Sequence, residues 1–408
     1  MVTSDTKRRD VLKHLGAGAV LAAGMSGVAT ATPERKIVGT SSPAATRAAA
    51  SKADSVHRTL DFGDIGSAVA GVFPDGAIDA LSKRSDVRYV EADGTMHAIG
   101  GDPGAQAPGG NPGPPGGGDG GGSTSQTLPW GIDRVDAEVA HSDGETGNGA
   151  DIAVIDTGID DDHPDLQANV GAGKAFVDCK GSNCNYAWSD DDDHGTHCAG
   201  TADAVDNSEG VVGVATEATL HAVKVLDKRG SGSFSDVAAG IEYTADQGWD
   251  VASMSLGASS GSQTVKDACT YAYEKGVLLV AAAGNDGPCT DCVGYPAAYS
   301  EVIAVSATAE DDSLAEFSST GSEVELAAPG DGVYSTVIGG YDTFSGTSMA
   351  CPHVSGAGAQ LMANGQSNTQ ARDSLASSAE DVGLASNESG NGLLDSAAAL
   401  GLDSSDST

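Results

Sequence analysis

The stretch SDDDDHGTHCAG, Ser189–Gly200, places four aspartates, two histidines and a cysteine within twelve positions. Each of those residue types can hold a metal. The same stretch suits a catalytic histidine in an acidic setting, or a solvated run of charge beside histidines. Three further residues widen the choice: Asp156 closing DIAVID, Asn285 in AAAGND and Ser348 in SGTSMACPHV. In chain order, Asp156, His194 and Ser348 supply an acid, a base and a hydroxyl. A serine hydroxyl is a weak nucleophile until an adjacent base takes its proton, and that base works best when a carboxylate fixes its tautomer. Acyl transfer through a covalent intermediate is the chemistry such a set performs. Each residue also has a plain structural reading. Asp156 could end a strand, Ser348 could cap a helix, and Asn285 could form a turn beside Gly284 and Gly287.

The elements that must position these residues are legible as alternating patterns. DIAVID, LHAVKVL, DVASMSL, GVLLVAAAG and VIAVSAT are short apolar runs of the kind that form buried strands. SFSDVAAGIEYTADQG and SQTVKDACTYAYEKG are helix candidates between them, the second stopped by Gly276. This alternation predicts an α/β fold, a mostly parallel sheet flanked by helices on both faces. Sites in such sheets lie at the carboxyl ends of the strands. Asp156 and Asn285 follow strands, while His194 and Ser348 open helices.

Charge divides the chain. Residues 1–125 carry 13 acids and 12 bases, and residues 126–408 carry 45 acids and 9 bases. So acidic a surface repels nucleic acid and anionic membrane. It suits concentrated salt, where the Debye length shrinks to about 3 Å near 1 M. The N-terminus has Arg8-Arg9, an apolar run from Val11 to about Val28, and Ala29-Thr30-Ala31. These read as a twin-arginine export signal over 1–31 and a soluble, extracellular protein after its removal. Residues 32–99 are mixed and near-neutral, 100–125 form a Gly/Pro-rich linker, 126–402 form the main domain and 403–408 a polar tail.

There are 7 cysteines, so at least one thiol is unpaired within the chain. Cys179 and Cys184 flank a turn, and Cys289 and Cys292 flank Thr290-Asp291; both pairs are candidate local disulfides, with a shared zinc site as the alternative. Cys198 lies one helical turn beyond His194, where a free thiol would sit close under the site. His197, Ser345, Thr347 and His353 read as support for helix and turn.

DTGIDDDHPDL, DHGTHCAG and SGTSMACPHV resemble, in order, the three signature blocks of the subtilisin-like serine peptidases. PWGIDRV, HAVKVLD, MSLG and AAAGN also match that family, and the likeness spans about residues 126–365. The acidic composition and the paired arginines are similar to those of the halolysin branch from salt-loving archaea. Departures are the cysteines at 198 and 351, the Gly/Pro linker and the lack of a long C-terminal extension.

The resemblance implies a secreted, monomeric serine endopeptidase acting on proteins and peptides. Asp156, His194 and Ser348 would be the catalytic triad, with Asn285 and the Ser348 backbone N–H as the oxyanion hole. It implies that an extended peptide binds between Gly230-Ser231-Gly232-Ser233 and Ser255-Leu256-Gly257. A specificity pocket of Ala282, Ala283, Gly284 and Gly294 would take large apolar or aromatic side chains. A structural calcium would be held by Gln126, Asp165 and Asn207 with the carbonyls of Val205, Glu209 and Val211. Residues 32–99, ending in VRYVEADGTMHAI, would be a small α+β propeptide that chaperones folding and inhibits the site, with the cut between about 98 and 126. DDDD is then a solvated acidic loop, separate from the calcium ligands. Its charge should raise the His194 pKa and give an alkaline optimum that moves upward as salt is removed. A non-catalytic binding protein of the same fold and a metallohydrolase centred on DDDDHGTH are the alternatives.

Overall fold

In the computed structural model of the protein, the described residues are 34–100, 126–182 and 184–404. The export signal, most of the linker and the last residues of the tail lie outside them. The first described element set is a module of β1 Lys36–Thr40, α1 Pro43–Lys52, β2 Ser55–Asp61, β3 Ser67–Val72, α2 Asp75–Leu81 and β4 Val87–Ala92. Its strands form an antiparallel sheet in the order β2-β3-β1-β4. One face closes over Val38, Ala49, Val69, Phe73 and Leu81. A short strand follows, β5 Thr95–Ala98.

The main domain adds α3 Trp130–Arg134, α4 Ala137–Asp143, β6 Asp151–Asp156, β7 Lys174–Ala175, α5 His194–Asp203, β8 Thr219–Lys224, β9 Ser231–Ser233 and α6 Phe234–Gln247. There follow β10 Val251–Met254, β11 Leu256–Gly257, α7 Gln263–Glu274, β12 Leu278–Ala282, β13 Val302–Thr308, β14 Val324–Pro329, β15 Val333–Val337, β16 Gly340–Phe344, α8 Thr347–Ala363 and α9 Asn368–Ser378. Seven strands make one sheet in the order β14-β13-β12-β10-β6-β8-β7, and their pairings are parallel.

Alternation along the strands builds two cores. Ile152 and Val154 of β6, Leu278 and Val280 of β12, and Ile303 and Val305 of β13 face one core, shared with α5 and α8. Ala153 and Ile155, Leu279 and Ala281, and Val302 and Ala304 face the other, shared with α6 and α7. Strands buried on both faces read as continuous apolar runs, which is why the sheet was visible in the sequence. Ile37, Leu60, Phe62, Ala68 and Ala70 of the N-terminal module join the second core. The module's sheet therefore lies on α6 and α7.

Strand order reverses about β6. The chain moves from β6 to β8 on one side and to β10 and β12 on the other, and such a switch point opens a crevice at the carboxyl ends. Asp156 is the last residue of β6.

Candidate active site

His194 is the first residue of α5, and its Nδ1 lies 2.8 Å from Asp156 Oδ1. Both side chains are buried. The same Asp156 oxygen accepts the Thr157 N–H at 2.6 Å. Gly195 N–H donates to Thr157 Oγ1 at 2.8 Å, which ties the start of α5 to the end of β6. The approach is so close that a Cβ at Gly195 would fall 2.2 Å from the Gly158 carbonyl oxygen. Burial alone would lower the His194 pKa; the Asp156 carboxylate, with Asp192 and Asp190 behind it, outweighs this and raises it.

Ser348 is the second residue of α8 and is fully buried. Its hydroxyl donates to the Ser255 carbonyl at 3.1 Å, while His194 Nε2 is buried without a partner. The hydroxyl is thus turned from the imidazole, a looseness common where no acyl group is engaged. Asn285 Oδ1 accepts both Thr347 N–H and Thr347 Oγ1–H at 3.0 Å. Thr347 Oγ1 in turn accepts Gly284 N–H at 3.1 Å. These bonds fix the amide so that its NH2 group faces the cleft.

The acidic run departs from expectation. It is not a solvated loop. Asp190 is buried, and its Oδ2 accepts the Thr196 N–H at 3.0 Å and the Thr196 hydroxyl at 2.6 Å. It therefore satisfies free donors of the first turn of α5. Asp191 Oδ1 lies 2.5 Å from Lys224 Nζ, a fully buried ammonium that also donates to the carbonyls of Thr157 and Leu226. Asp193 sits in the left-handed region at φ 90° and accepts Ile338 N–H at 3.0 Å. Asp192 is half-buried; burial, with Asp190 and Asp156 nearby, moves its pKa up to about 6 against the opposing pull of His194. Three of the four aspartates thus position the histidine's helix and loop. The charge pattern looked solvated because sequence does not show Lys224 folding back onto it.

The cleft holds the chain's own strand. β5 runs antiparallel to β9, with Thr95 opposite Ser233, Met96 opposite Gly232 and His97 opposite Ser231. On its other edge Ala98 pairs with Leu256 and His97 with Gly257 of β11. Ala98 N–H donates to the Gly230 carbonyl at 2.9 Å, and Ile99 N–H to the Ser255 carbonyl at 3.2 Å. Beside Ile99, Gly294 N–H bonds the Ala283 carbonyl at 2.8 Å, and Tyr295 pairs with Ala258. Ile99 Cδ1 lies 2.7 Å from the point a Gly257 Cβ would occupy. Ala283, Gly284 and Gly294 come together through their backbone; Ala282 ends β12 and belongs to the core.

The residues expected to hold calcium also converge. Asp165 is buried; its Oδ1 accepts Asn207 Nδ2–H at 3.0 Å and its Oδ2 accepts Val211 N–H at 2.9 Å. Gln126 Nε2 donates to the carbonyls of Val205 and Val211 at 2.8 and 2.9 Å, and its Oε1 accepts Asn207 N–H at 3.1 Å. Glu209 is tied in by its N–H to Asn207 Oδ1 at 2.6 Å.

Cys179–Cys184 and Cys289–Cys292 are disulfides, with Cα atoms 5.8 and 6.2 Å apart, which corrects the zinc alternative. Cys198, Cys269 and Cys351 are free and buried. Cys198 Sγ donates to the Ser348 carbonyl at 3.5 Å, and burial pushes its thiol pKa well up. Asp156, His194 and Cys198 each offer an atom within 4.8 Å of the others. A protonated thiol and a carboxylate already bonded to the imidazole make a poor cation site.

Residues 147–393 match the Subtilase family. The chain belongs to the subtilases. It is 40% identical over 322 residues to Subtilisin E of Bacillus subtilis (strain 168), covering 78% of this chain and 76% of that protein. It is 45% identical over 278 residues to Subtilisin Savinase of Lederbergia lenta, covering 67% of this chain and 99% of that one. A Thermostable alkaline protease of Halalkalibacterium halodurans is 46% identical over 273 residues, 66% of this chain and 73% of its own. This subtilase is therefore a serine endopeptidase acting on proteins and peptides.

Some contacts at the site are not legible in the sequence: Ser255, expected only along the substrate strand, also bonds the backbone of Ser348. The Ser255 hydroxyl donates to the Ser348 carbonyl at 2.8 Å. Asp190 and Lys224 were passed over as anonymous charges. His197 and His353 are packed as expected: His197 bonds the Val333 carbonyl and stacks on Phe344 with centroids 4.5 Å apart, and burial moves its pKa down to about 3. His353 bonds the Met349 carbonyl at 2.8 Å.

Proposed function

We propose that the enzyme is exported as a self-inhibited precursor, that Asp156, His194 and Ser348 are its catalytic triad, and that residues 32–99 are its propeptide. The reading rests on one observation above the rest: Thr95–Ile99 occupies the cleft with the backbone hydrogen bonds of an added strand. In this mechanism the Ser348 hydroxyl swings from Ser255 to His194 Nε2, which takes its proton as Oγ attacks the peptide carbonyl. Asp156 holds Nδ1–H and stabilises the imidazolium. The Asn285 amide and the Ser348 N–H receive the oxyanion, and the N-terminus of α8 adds favourable potential. His194 then protonates the leaving amine, and water hydrolyses the ester. Small residues at 283, 284 and 294 leave room for a large apolar side chain before the cut.

The propeptide grip is supported by charge as well as by the strand. Arg88 bonds Asp267 of α7 at 2.5 and 3.0 Å, Arg58 bonds Asp236 of α6 at 2.5 Å, Glu91 accepts Gln263 and Thr264 N–H at the start of α7, and Asp93 accepts Ser235 N–H at the start of α6. A calcium at Asp165, Asn207, Gln126 and the carbonyls of Val205, Glu209 and Val211 suits the oxygen-rich donor set. There the Gln126 NH2 already points at two carbonyls as a cation would, and amide rotation would present Oε1 instead. Bound there, Ca²⁺ would tie the chain before α3 to the loop after α5. Export is supported by the paired arginines and by the two disulfides, and adaptation to high salt, of the halolysin kind, by the acidic excess of residues 126–408. Among the described residues no helix is long and apolar enough to cross a membrane. Such a surface leaves protein substrates and the propeptide as the partners of a monomeric enzyme, without nucleic acid or membrane.

The test is Ser348→Ala. It should abolish hydrolysis of casein and leave the precursor at full length. Hydrolysis retained in that variant would overturn the triad, and if chelator then abolished it, the metallohydrolase would be favoured.

A further inference from the structure

Resting on the precursor reading, we infer that the enzyme's first cut is at the Ile99–Gly100 bond and that Gly100 is the leaving-side specificity determinant of this self-processing. The register decides which peptide is presented. Ala98 and Ile99 make the last two strand bonds, to Gly230 and Ser255. The next carbonyl, that of Ile99, lies 3.0 Å from the point where a Gly346 Cβ would stand, and Asn285 Nδ2 lies 3.1 Å from the same point. The Ile99 carbonyl and the Asn285 amide thus flank one small space, immediately before Thr347 and Ser348.

Gly100 carries the chain out of that space. Its φ is +96°, a backbone state that side-chain-bearing residues rarely adopt. A Cβ there would fall 2.8 Å from the Ser345 carbonyl oxygen, 3.2 Å from Gly346 Cα and 3.3 Å from Asn285 Nδ2. The first two neighbours are backbone and cannot swing aside. The third is the amide assigned to the oxyanion, so a side chain at 100 would push on the group that stabilises the transition state. Glycine answers both constraints, the angle and the space.

The step balances. Ser348 Oγ bonds the Ile99 carbonyl carbon as its proton passes to His194; the C–N bond to Gly100 breaks and His194 returns the proton to the Gly100 amine. Water then cleaves the Ile99 ester, leaving an Ile99 carboxylate and free Ser348.

The experiment takes the full-length precursor through processing and weighs the fragments by intact mass. We expect a fragment ending at Ile99 and a chain starting at Gly100 as the first products. Gly100→Ala should slow their appearance about 10-fold or more. The same substitution in a Ser348→Ala background should leave the precursor folded with a single cooperative thermal transition, which separates a slower cut from a failed fold. First products that end within 101–126 with Ile99–Gly100 intact, or Gly100→Ala processing at the wild-type rate, would overturn the inference. Processing of the Ser348→Ala precursor would instead overturn the precursor reading itself.

Discussion

Ser348 and Ser255 exchange hydrogen bonds: the Ser348 hydroxyl donates to the Ser255 carbonyl at 3.1 Å, and the Ser255 hydroxyl donates to the Ser348 carbonyl at 2.8 Å. The Ser255 carbonyl also accepts the Ile99 N–H. One residue thus holds the hydroxyl proposed as nucleophile and pairs with the strand proposed as its first substrate.

Ser255→Ala keeps that carbonyl and loses the hydroxyl. The fold should lose about 1 kcal/mol, since a buried carbonyl gives up one of its donors. Turnover should fall by much less than in Ser348→Ala. Thermal unfolding and casein hydrolysis check both, and a loss of activity equal to that of Ser348→Ala would refute the division of roles.

If His194 is the base, Asp192 should tune it: its neutral form would be the active one, so activity should rise as pH climbs through its raised pKa. Asp192→Asn removes one of the charges that raise it, and the acidic limb of kcat/KM should move to lower pH. The shift should shrink in 1 M salt, where the Debye length is about 3 Å. By the same sign, protonated His194 stabilises the fold at low pH, and that contribution is lost as pH rises through its folded pKa. An acidic limb that stays fixed or moves upward in the variant would exclude Asp192 from this role.

Lys224→Met should be severe. It strips Asp191 of its buried counterion and frees the carbonyls of Thr157 and Leu226. Breaking a buried pair from one side costs about 3–5 kcal/mol. The denaturation midpoint should drop sharply, and the activity remaining at low temperature should report a displaced Asp156–Thr157 segment. A midpoint within error of wild type would remove the lysine from the support of the site.

Calcium is testable by linkage. If the Gln126–Asp165 loop binds it, stability should rise with calcium, by about 2.7 kcal/mol at a hundredfold excess over Kd. Asp165→Asn should abolish most of that increment, read by thermal unfolding with and without chelator. Equal calcium dependence in variant and wild type would place the ion elsewhere.

Much of this was legible in the sequence. Strands buried on both faces announce themselves as apolar runs, and β6, β8, β10, β12 and β13 each correspond to one. Asp156, His194 and Ser348 stand where strand ends and helix starts put them. The acidic run failed because solvation is a tertiary property. Nothing in DDDD distinguishes Asp190, which caps α5, from a charge facing water. The Lys224 that meets Asp191 lies 33 residues along the chain. The sequence leaves any cut open between about 98 and 126, because the register of β5 depends on the edges of β9 and β11, which sequence spacing does not reveal.

The anchoring of Gln126 has a topological consequence. Ile99 sits in the cleft while Gln126 is already bonded to Val205, Val211 and Asn207 in the same uncut chain. A cut at Ile99–Gly100, if it occurs as inferred, would leave Gln126 in the bonds it already makes. The order of assembly is thereby freed from the order of cutting: the loop that Gln126 locks can be complete before the first bond is broken.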